Sequence, residues 1–270
     1  MTLGVSGQSA VVTGAARGIG RAIAERLVAL GFAVVLTDLD EAAVRRTAAE
    51  IGAAAGLGQD VGDEFSHAVV AAEARRHGRL SAWFNNAGVG HDGGLMELSS
   101  RSVEQLVQVN LMGVAWGMRA ALDGFGSSGG DIVNTASMSA HGPVPGLSVY
   151  AATKAAVVSL STSVHLEAPH NVRVHALCPD GVATAMVDAM APDGRAKALV
   201  ASGGRMLTAD EVAAKAVGLL GSRRMVRSVP VRRAALMRLS AMTPSVSMKG
   251  ERLFLWQGRR ALRKARRKAS

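Results

Sequence analysis

Short apolar runs and longer mixed runs take turns along most of the chain. Residues 9–13 (SAVVT) are a short apolar run that stops in a glycine-rich turn. An Ala/Leu/Ile-rich stretch follows over 18–30, and Gly31 closes it. That order predicts a strand, a turn, and a helix with a glycine at its C-terminal end. Residues 32–37 (FAVVLT) are apolar without interruption, the pattern of a strand buried on both faces. The same reading predicts further helices over 40–51, 63–77, 102–122, 150–168 and 209–220. It predicts further strands over 53–59, 80–85, 131–136, 171–177 and 226–231. Residues 127–130 read as a surface turn, and 191–205 as a mobile loop with room for one short helix. Strand and helix thus alternate, which predicts one doubly wound α/β domain in three layers over residues 1–222. The last strand and a basic extension then occupy 223–270.

Composition changes this picture in two places. Apolar residues make up 49% of the chain but aromatic residues only 3%, so the core must be built from Ala, Val, Leu and Met. The single cysteine, Cys178, allows no intrachain disulfide and reads as a small buried hydrophobe. Residues 1–10 lack the basic and apolar regions of a signal peptide, and no apolar run approaches membrane-spanning length. A cytoplasmic protein is therefore expected.

The net charge of +10 is unevenly distributed. Residues 1–222 hold 16 basic and 20 acidic residues, a net −4; residues 223–270 hold 15 basic residues and one acid, Glu251, a net +14. Basic residues crowd 259–268, just after Leu253-Phe254-Leu255-Trp256. The plain reading is a solvated tail or a charged cover for a neighbouring subunit. An anionic membrane surface comes second. Non-specific nucleic acid comes last, because the body of the chain offers no basic face.

Candidate chemistry lies where predicted strands end. Gly14, Gly18 and Gly20 stand in the turn Thr13–Gly20 (TGAARGIG) between the first strand and the first helix. Such a turn lets a pyrophosphate approach a helix N-terminus, where unpaired N–H groups favour anions. Asp38 ends the second strand, where a carboxylate accepts hydrogen bonds from ribose hydroxyls and repels a 2′-phosphate. That favours NAD over NADP, while Arg17 in the glycine turn pulls weakly the other way. Asp60-Val61 ends the third strand, where Asp60 could cap an adenine amino group. Asn85-Asn86-Ala87-Gly88 ends the fourth, where paired amides can tie strands and line a crevice.

Tyr150 and Lys154 lie four apart on a predicted helix and so share a face. A free phenol titrates near ~10, and a neighbouring ammonium lowers that value. A tyrosine so tuned can exchange a proton with an alcohol. Ser137 stands 13 residues before Tyr150, where its hydroxyl could hold a substrate oxygen. Asn110 is a polar residue of poor helix propensity inside a predicted helix. The seven histidines show no metal-ligand spacing, so no metal is expected. Val144, Pro145, Leu147 and Val149, with Met186, Met190 and Met206, read equally as packing within the covering segment or as apolar walls around a hydrophobic substrate, with His91 and His141 near its mouth.

Taken together, TGAARGIG, Asp60-Val61, NNAG, Asn110, Ser137, Tyr150/Lys154 and Pro179–Thr184 (PDGVAT) resemble the short-chain dehydrogenase/reductase family over about residues 6–222. The resemblance implies a Rossmann-type fold and a hydride transfer between a nicotinamide cofactor and a secondary alcohol or ketone. It implies Tyr150 as acid/base and Lys154 on the nicotinamide ribose. Ser137 would orient the substrate, and Asn110 would hold a water that relays protons to Lys154. Cofactor contacts are implied for Gly14, Arg17, Ile19, Asp38, Asp60, Val61, Asn86, Lys154 and Val182. Gly18, Gly20, Ala87, Gly88, Tyr150, Pro179, Gly181 and Thr184 complete the expected set. The family also implies a homodimer or homotetramer through the helices that carry Asn110 and Tyr150. One departure is that Asp180 separates Pro179 from Gly181, where the family has Pro-Gly. The readings left open are an NADP-dependent ketone reductase and a non-catalytic nucleotide-sensing scaffold with a membrane-binding tail.

Overall fold

A computed structural model describes residues 5–242 and 254–264. Seven parallel strands form one sheet in the order β3-β2-β1-β4-β5-β6-β7. They are β1 (Gln8–Thr13), β2 (Ala33–Asp38), β3 (Ala55–Gly58), β4 (Arg79–Asn85), β5 (Gly130–Thr135), β6 (Val172–Pro179) and β7 (Val226–Val229). The alternation read from the sequence is therefore a doubly wound sheet, and each predicted strand is found within a few residues of its expected bounds. Strand order reverses between β1 and β4, so their C-terminal ends open the crevice where such sheets bind ligands.

Successive strand residues feed opposite layers, which is why the strands are apolar without a break. Val12, Val34, Leu36, Phe84 and Val133 pack under α1 (Gly18–Ala29), α2 (Glu41–Ile51) and α9 (Ala209–Val217). Val11, Val35, Trp83, Ile132 and Val174 pack on the other face under α3 (Glu64–Arg76), α5 (Gly113–Phe125) and α6 (Ser148–Glu167). Each such fully buried Val, Leu or Phe stabilises the fold by roughly 1.5–3 kcal/mol.

Two elements differ from the expectation, and the short helix allowed for in 191–205 is found. The helix predicted over 102–122 is α4 (Ser100–Val107), a π-helical turn (Gln108–Met112) and α5 in succession. Asn110 sits in the π turn, where the widened backbone re-aims its side chain. The predicted loop over 191–205 holds α8 (Arg195–Ala201), preceded by the single turn α7 (Ala185–Asp188). A bridge between Val182 and Leu207 pins the ends of this excursion together. Beyond β7, the chain forms α10 (Val231–Met242), where only an extension was expected. Residues 254–264 are helical as well. The rest of the basic segment, 265–268, and Leu253 lie outside the described residues.

Candidate active site

The glycine turn after β1 is tight for a reason that can be measured. Gly14 has φ +63°, and a Cβ there would stand 2.7 Å from the Ala87 Cα. A Cβ on Gly20 would overlap the Gly14 carbonyl and the Asn86 amide. The Thr13 hydroxyl accepts from the main-chain N–H groups of Asn86 and Ala87, each at 3.0 Å. The Asn86 side chain donates back to the carbonyls of Thr13 and Gly14 at 3.1 Å. These bonds lace the ends of β1 and β4 around the crevice. Arg17 is the N-cap residue of α1 and provides no side-chain cap, so the helix begins with main-chain N–H groups turned to the cleft. A cradle with no room for side chains, beside a helix N-terminus, fits a dinucleotide pyrophosphate.

At the chemical end, β5 delivers Ser137 and α6 delivers Tyr150 and Lys154. Ser137 caps a short 3-10 turn, its hydroxyl accepting from the Ser139 N–H at 3.2 Å. Lys154 is 3% exposed, and its Nζ donates to the Thr135 carbonyl at 2.9 Å. The same ammonium lies 5.8 Å from the centre of the Tyr150 ring. Burial brings the Lys154 pKa down to about 8, and burial pushes the Tyr150 phenol up. The neighbouring Ser137 hydroxyl opposes the rise. Asn110 is fully buried and not solvent-facing. A methyl group placed on Gly88 would lie 3.1 Å from Asn110 Oδ1 and 3.4 Å from Lys154 Nζ, so the two polar ends flank one point.

A single cleft of about 1130 Å³ joins these two ends. Gly14, Arg17, Gly18, Ile19, Asn86, Ala87 and Gly88 line it at the glycine turn. Ser137, Tyr150, Lys154, Pro179, Gly181, Val182 and Thr184 line it further on. Gly20, Asp38, Asp60, Val61 and Asn110 are not on its walls. Asp38 holds the turn, its carboxylate accepting from the Ala16 N–H at 3.0 Å and the Asp40 N–H at 3.3 Å. Asp60 caps its own turn through the Gly62 N–H at 2.8 Å, and the Val61 carbonyl meets His67 Nε2 at 2.9 Å. Asn85 works as a strand tie, donating to Asn134 Oδ1 at 2.8 Å, and only Asn86 reaches the cleft.

Of the expected apolar wall, Val144, Pro145, Leu147, Met186 and Met190 line the cleft, and Val149 and Met206 do not. His91 lines it, whereas His141 is buried against the Ser228 hydroxyl at 2.9 Å. Sequence reasoning missed Leu236, Met237 and Phe254, which come to the cleft from α10 and the helix over 254–264. It also missed Arg233, whose Nε pairs with Asp180 at 3.0 Å and whose Nη2 donates to the Leu199 carbonyl at 3.2 Å. The inserted Asp180 is thus an anchor between the loop after β6, α8 and α10. An unpartnered acid after Pro179 was the only sequence signal for it.

Among the described residues, no cluster of His, Cys, Asp or Glu is arranged to hold a metal ion. None of the described helices is long and apolar enough to cross a membrane.

The fold and site define a nicotinamide-type oxidoreductase, and comparison with known proteins gives the family. A family model described as short chain dehydrogenase matches residues 8–194. The chain belongs to the short-chain dehydrogenase/reductase family and is an NAD(P)-dependent oxidoreductase acting on the CH–OH group of donors. It is 38% identical over 193 residues to a sorbitol dehydrogenase of Cereibacter sphaeroides, covering 68% of this chain and 75% of that one. It is 36% identical over 188 residues to the probable oxidoreductase EphD of Mycobacterium tuberculosis, covering 65% of this chain but only 31% of that longer protein. A crystal structure of a short-chain dehydrogenase/reductase from Burkholderia phymatum in complex with NAD superposes with a TM-score of 0.80 at 30% identity, covering 91% of this chain and 96% of that chain.

Proposed function

We propose that this chain oxidises a hydrophobic secondary alcohol, or reduces the matching ketone, with NAD(H) and with Tyr150 as the proton-exchanging group. The observation that carries the reading is the pairing on α6. Lys154 is buried one turn from Tyr150, the Ser137 hydroxyl favours the ionised phenol, and all three face the cleft that begins at the glycine turn.

The nicotinamide, when bound, accepts the hydride from the alcohol carbon or returns it to the carbonyl carbon. Gly14, Gly18, Ile19 and Asn86 would hold its dinucleotide, and Lys154 its ribose. Ser137 would hold the substrate oxygen within reach of the phenol. In oxidation the Tyr150 oxygen takes the hydroxyl proton while the C–H electrons leave; in reduction the phenol gives that proton to the nascent alkoxide. Burial alone holds the phenol protonated, which equips Tyr150 as a proton donor. The nearby Lys154 ammonium favours the phenolate needed in the other direction. The relay water expected on Asn110 would sit beside Gly88, between the amide and the ammonium.

The apolar wall of Val144, Pro145, Leu147, Met186 and Met190 supports a hydrophobic substrate in place of a polyol. Asp38, at the end of β2 and tied to the glycine turn, supports NAD. The second reading is NADP, favoured by Arg17, which lines the cleft where Asp38 does not. The family also supports a homodimer or homotetramer through α4, α5 and α6; the signal-peptide-like pattern missing from residues 1–10 and the basic extension support work in the cytoplasm or against the inner face of a membrane.

Calorimetric titration with NAD+ and with NADP+ tests the cofactor. Preference for NADP+ would overturn the role given to Asp38. Tyr150→Phe tests the chemistry: turnover should fall by on the order of 10²–10⁴ with cofactor affinity kept. Unchanged turnover would remove Tyr150 from the mechanism.

A further inference from the structure

The helix over 254–264 belongs to two surfaces at once. Its inner edge packs on α8: Gly258 is buried so closely on the Ala198 carbonyl that no side chain fits there. Phe254 reaches the wall of the cleft beside Leu236 and Met237 of α10. Its outer edge presents Trp256, Arg259, Arg260, Arg263 and Lys264, all exposed. The Arg260 guanidinium stacks on the Trp256 indole, 5.4 Å from the ring centre. Leu255, Trp256, Arg259, Arg260 and Arg263 stand together on one face of the helix. The helix α10, whose Leu236 lines the same cleft as Phe254, exposes Leu236, Leu239 and Met242. Neither helix contains an Asp or Glu.

We propose that this face docks the protein on an anionic phospholipid surface, with the guanidinium cluster meeting lipid phosphates and the cleft mouth held against the bilayer. Clustered guanidinium groups suit a phosphate, and an indole beside exposed Leu and Met suits the boundary between headgroups and acyl chains. A two-fold contact with a second copy would set these cations against each other. Nucleic acid would use the cations but leave the exposed leucines and methionine in water. Because Phe254 and Leu236 serve the cleft from the same two helices, an apolar substrate dissolved in the bilayer would enter without crossing water. That last step rests on the reading of the cleft given above; the docking itself does not.

The test uses the full chain saturated with NAD+. Co-sedimentation is measured with vesicles of pure phosphatidylcholine and of phosphatidylcholine mixed with phosphatidylglycerol. The expected result is binding to the mixed vesicles alone, released by salt. Each basic residue near an anionic surface contributes about fivefold, so Arg259→Gln/Arg260→Gln/Arg263→Gln together should weaken partitioning roughly a hundredfold. Trp256→Ala should weaken it while leaving the salt dependence unchanged. NAD+ affinity in both variants reports that they are folded. No binding to mixed vesicles, or equal binding to both kinds, overturns the proposal. So does binding to duplex DNA that is tighter than binding to the mixed vesicles at equal ionic strength. A lower oligomeric mass of the triple variant, without vesicle binding by the parent, would assign the face to a second copy and overturn it too. Vesicle binding together with unchanged turnover in Tyr150→Phe would leave docking standing and remove the catalytic reading.

Discussion

Asn110 grips the main chain of Val89 on both sides. Its Oδ1 accepts from the Val89 N–H at 2.8 Å, and its Nδ2 donates to the Val89 carbonyl at 2.9 Å. The π turn brings this amide to the loop after β4, which lines the cleft. The residue is therefore a clamp on the cleft wall as well as the expected seat of a relay water. Asn110→Ala leaves both Val89 groups without their partner and should cost about 1–3 kcal/mol by urea denaturation. Asn110→Asp can accept but not donate and should fall between. A loss of turnover in Asn110→Ala at a temperature where it is fully folded would separate the relay from the clamp.

Lys154 is costly to the fold. Lysine normally titrates near 10.5, and burial brings this one down to about 8. Between those values the unfolded chain keeps a proton that the folded chain releases, so stability rises with pH across that window. Below about pH 8 the full penalty, about 3 kcal/mol, is present. Lys154→Met removes the penalty and loses a hydrogen bond to Thr135 worth about 1 kcal/mol. The cofactor-free variant should melt roughly 4 °C higher at neutral pH. Its turnover should fall by on the order of a hundredfold or more. A lower melting temperature would show that Lys154 is not strained in the fold.

Gly14 and Gly52 separate crowding from backbone strain. Both have positive φ, but a Cβ on Gly14 would run into Ala87, and one on Gly52 would meet nothing within 4 Å. Gly52→Ala should cost about 1–2 kcal/mol from backbone conformation alone and leave cofactor affinity intact. Gly14→Ala should add an overpacking cost of about 1–3 kcal/mol and weaken NAD+ binding, read by calorimetry. Equal NAD+ affinity in both variants would argue against the glycine turn as the cofactor cradle.

His141 makes stability depend on pH from the acid side. Burial, helped by the charge of Arg238, lowers its pKa from 6.5 to about 4. An unfolded histidine takes up a proton near pH 6.5, and the folded one refuses it until about 4. The contribution is therefore complete above pH 6.5 and is lost as pH falls through that window, by up to about 3 kcal/mol. His141→Asn can keep a hydrogen bond to Ser228 and should flatten the fall in urea midpoint between pH 7 and pH 5. His67 is also held neutral by burial, so the difference between the two proteins is the quantity to read.

The sheet was legible because each strand had to be apolar on both faces, a local demand that shows at every residue of 32–37. The glycine turn and the Tyr150/Lys154 pair were legible for a similar reason, since both follow from short-range geometry. The π turn was not legible, because the helical pattern of 102–122 continues through it and only the misfit of Asn110 hinted at anything else. The helix α10 was hidden by its surface: among its residues only Ala234 is buried, so no clear stripe marks an inner face.

The amino-acid sequence by itself determined the elements, their order and the chemical types brought to the strand ends, because helix and strand periods and steric tolerance are local properties. Only the tertiary structure decided how those residues divide the work. It set Asp38 to holding a turn, joined Asp180 to Arg233 and carried Phe254 to the cleft. These are contacts between residues far apart in the chain. They depend on how layers pack in three dimensions, and no spacing along the sequence encodes them.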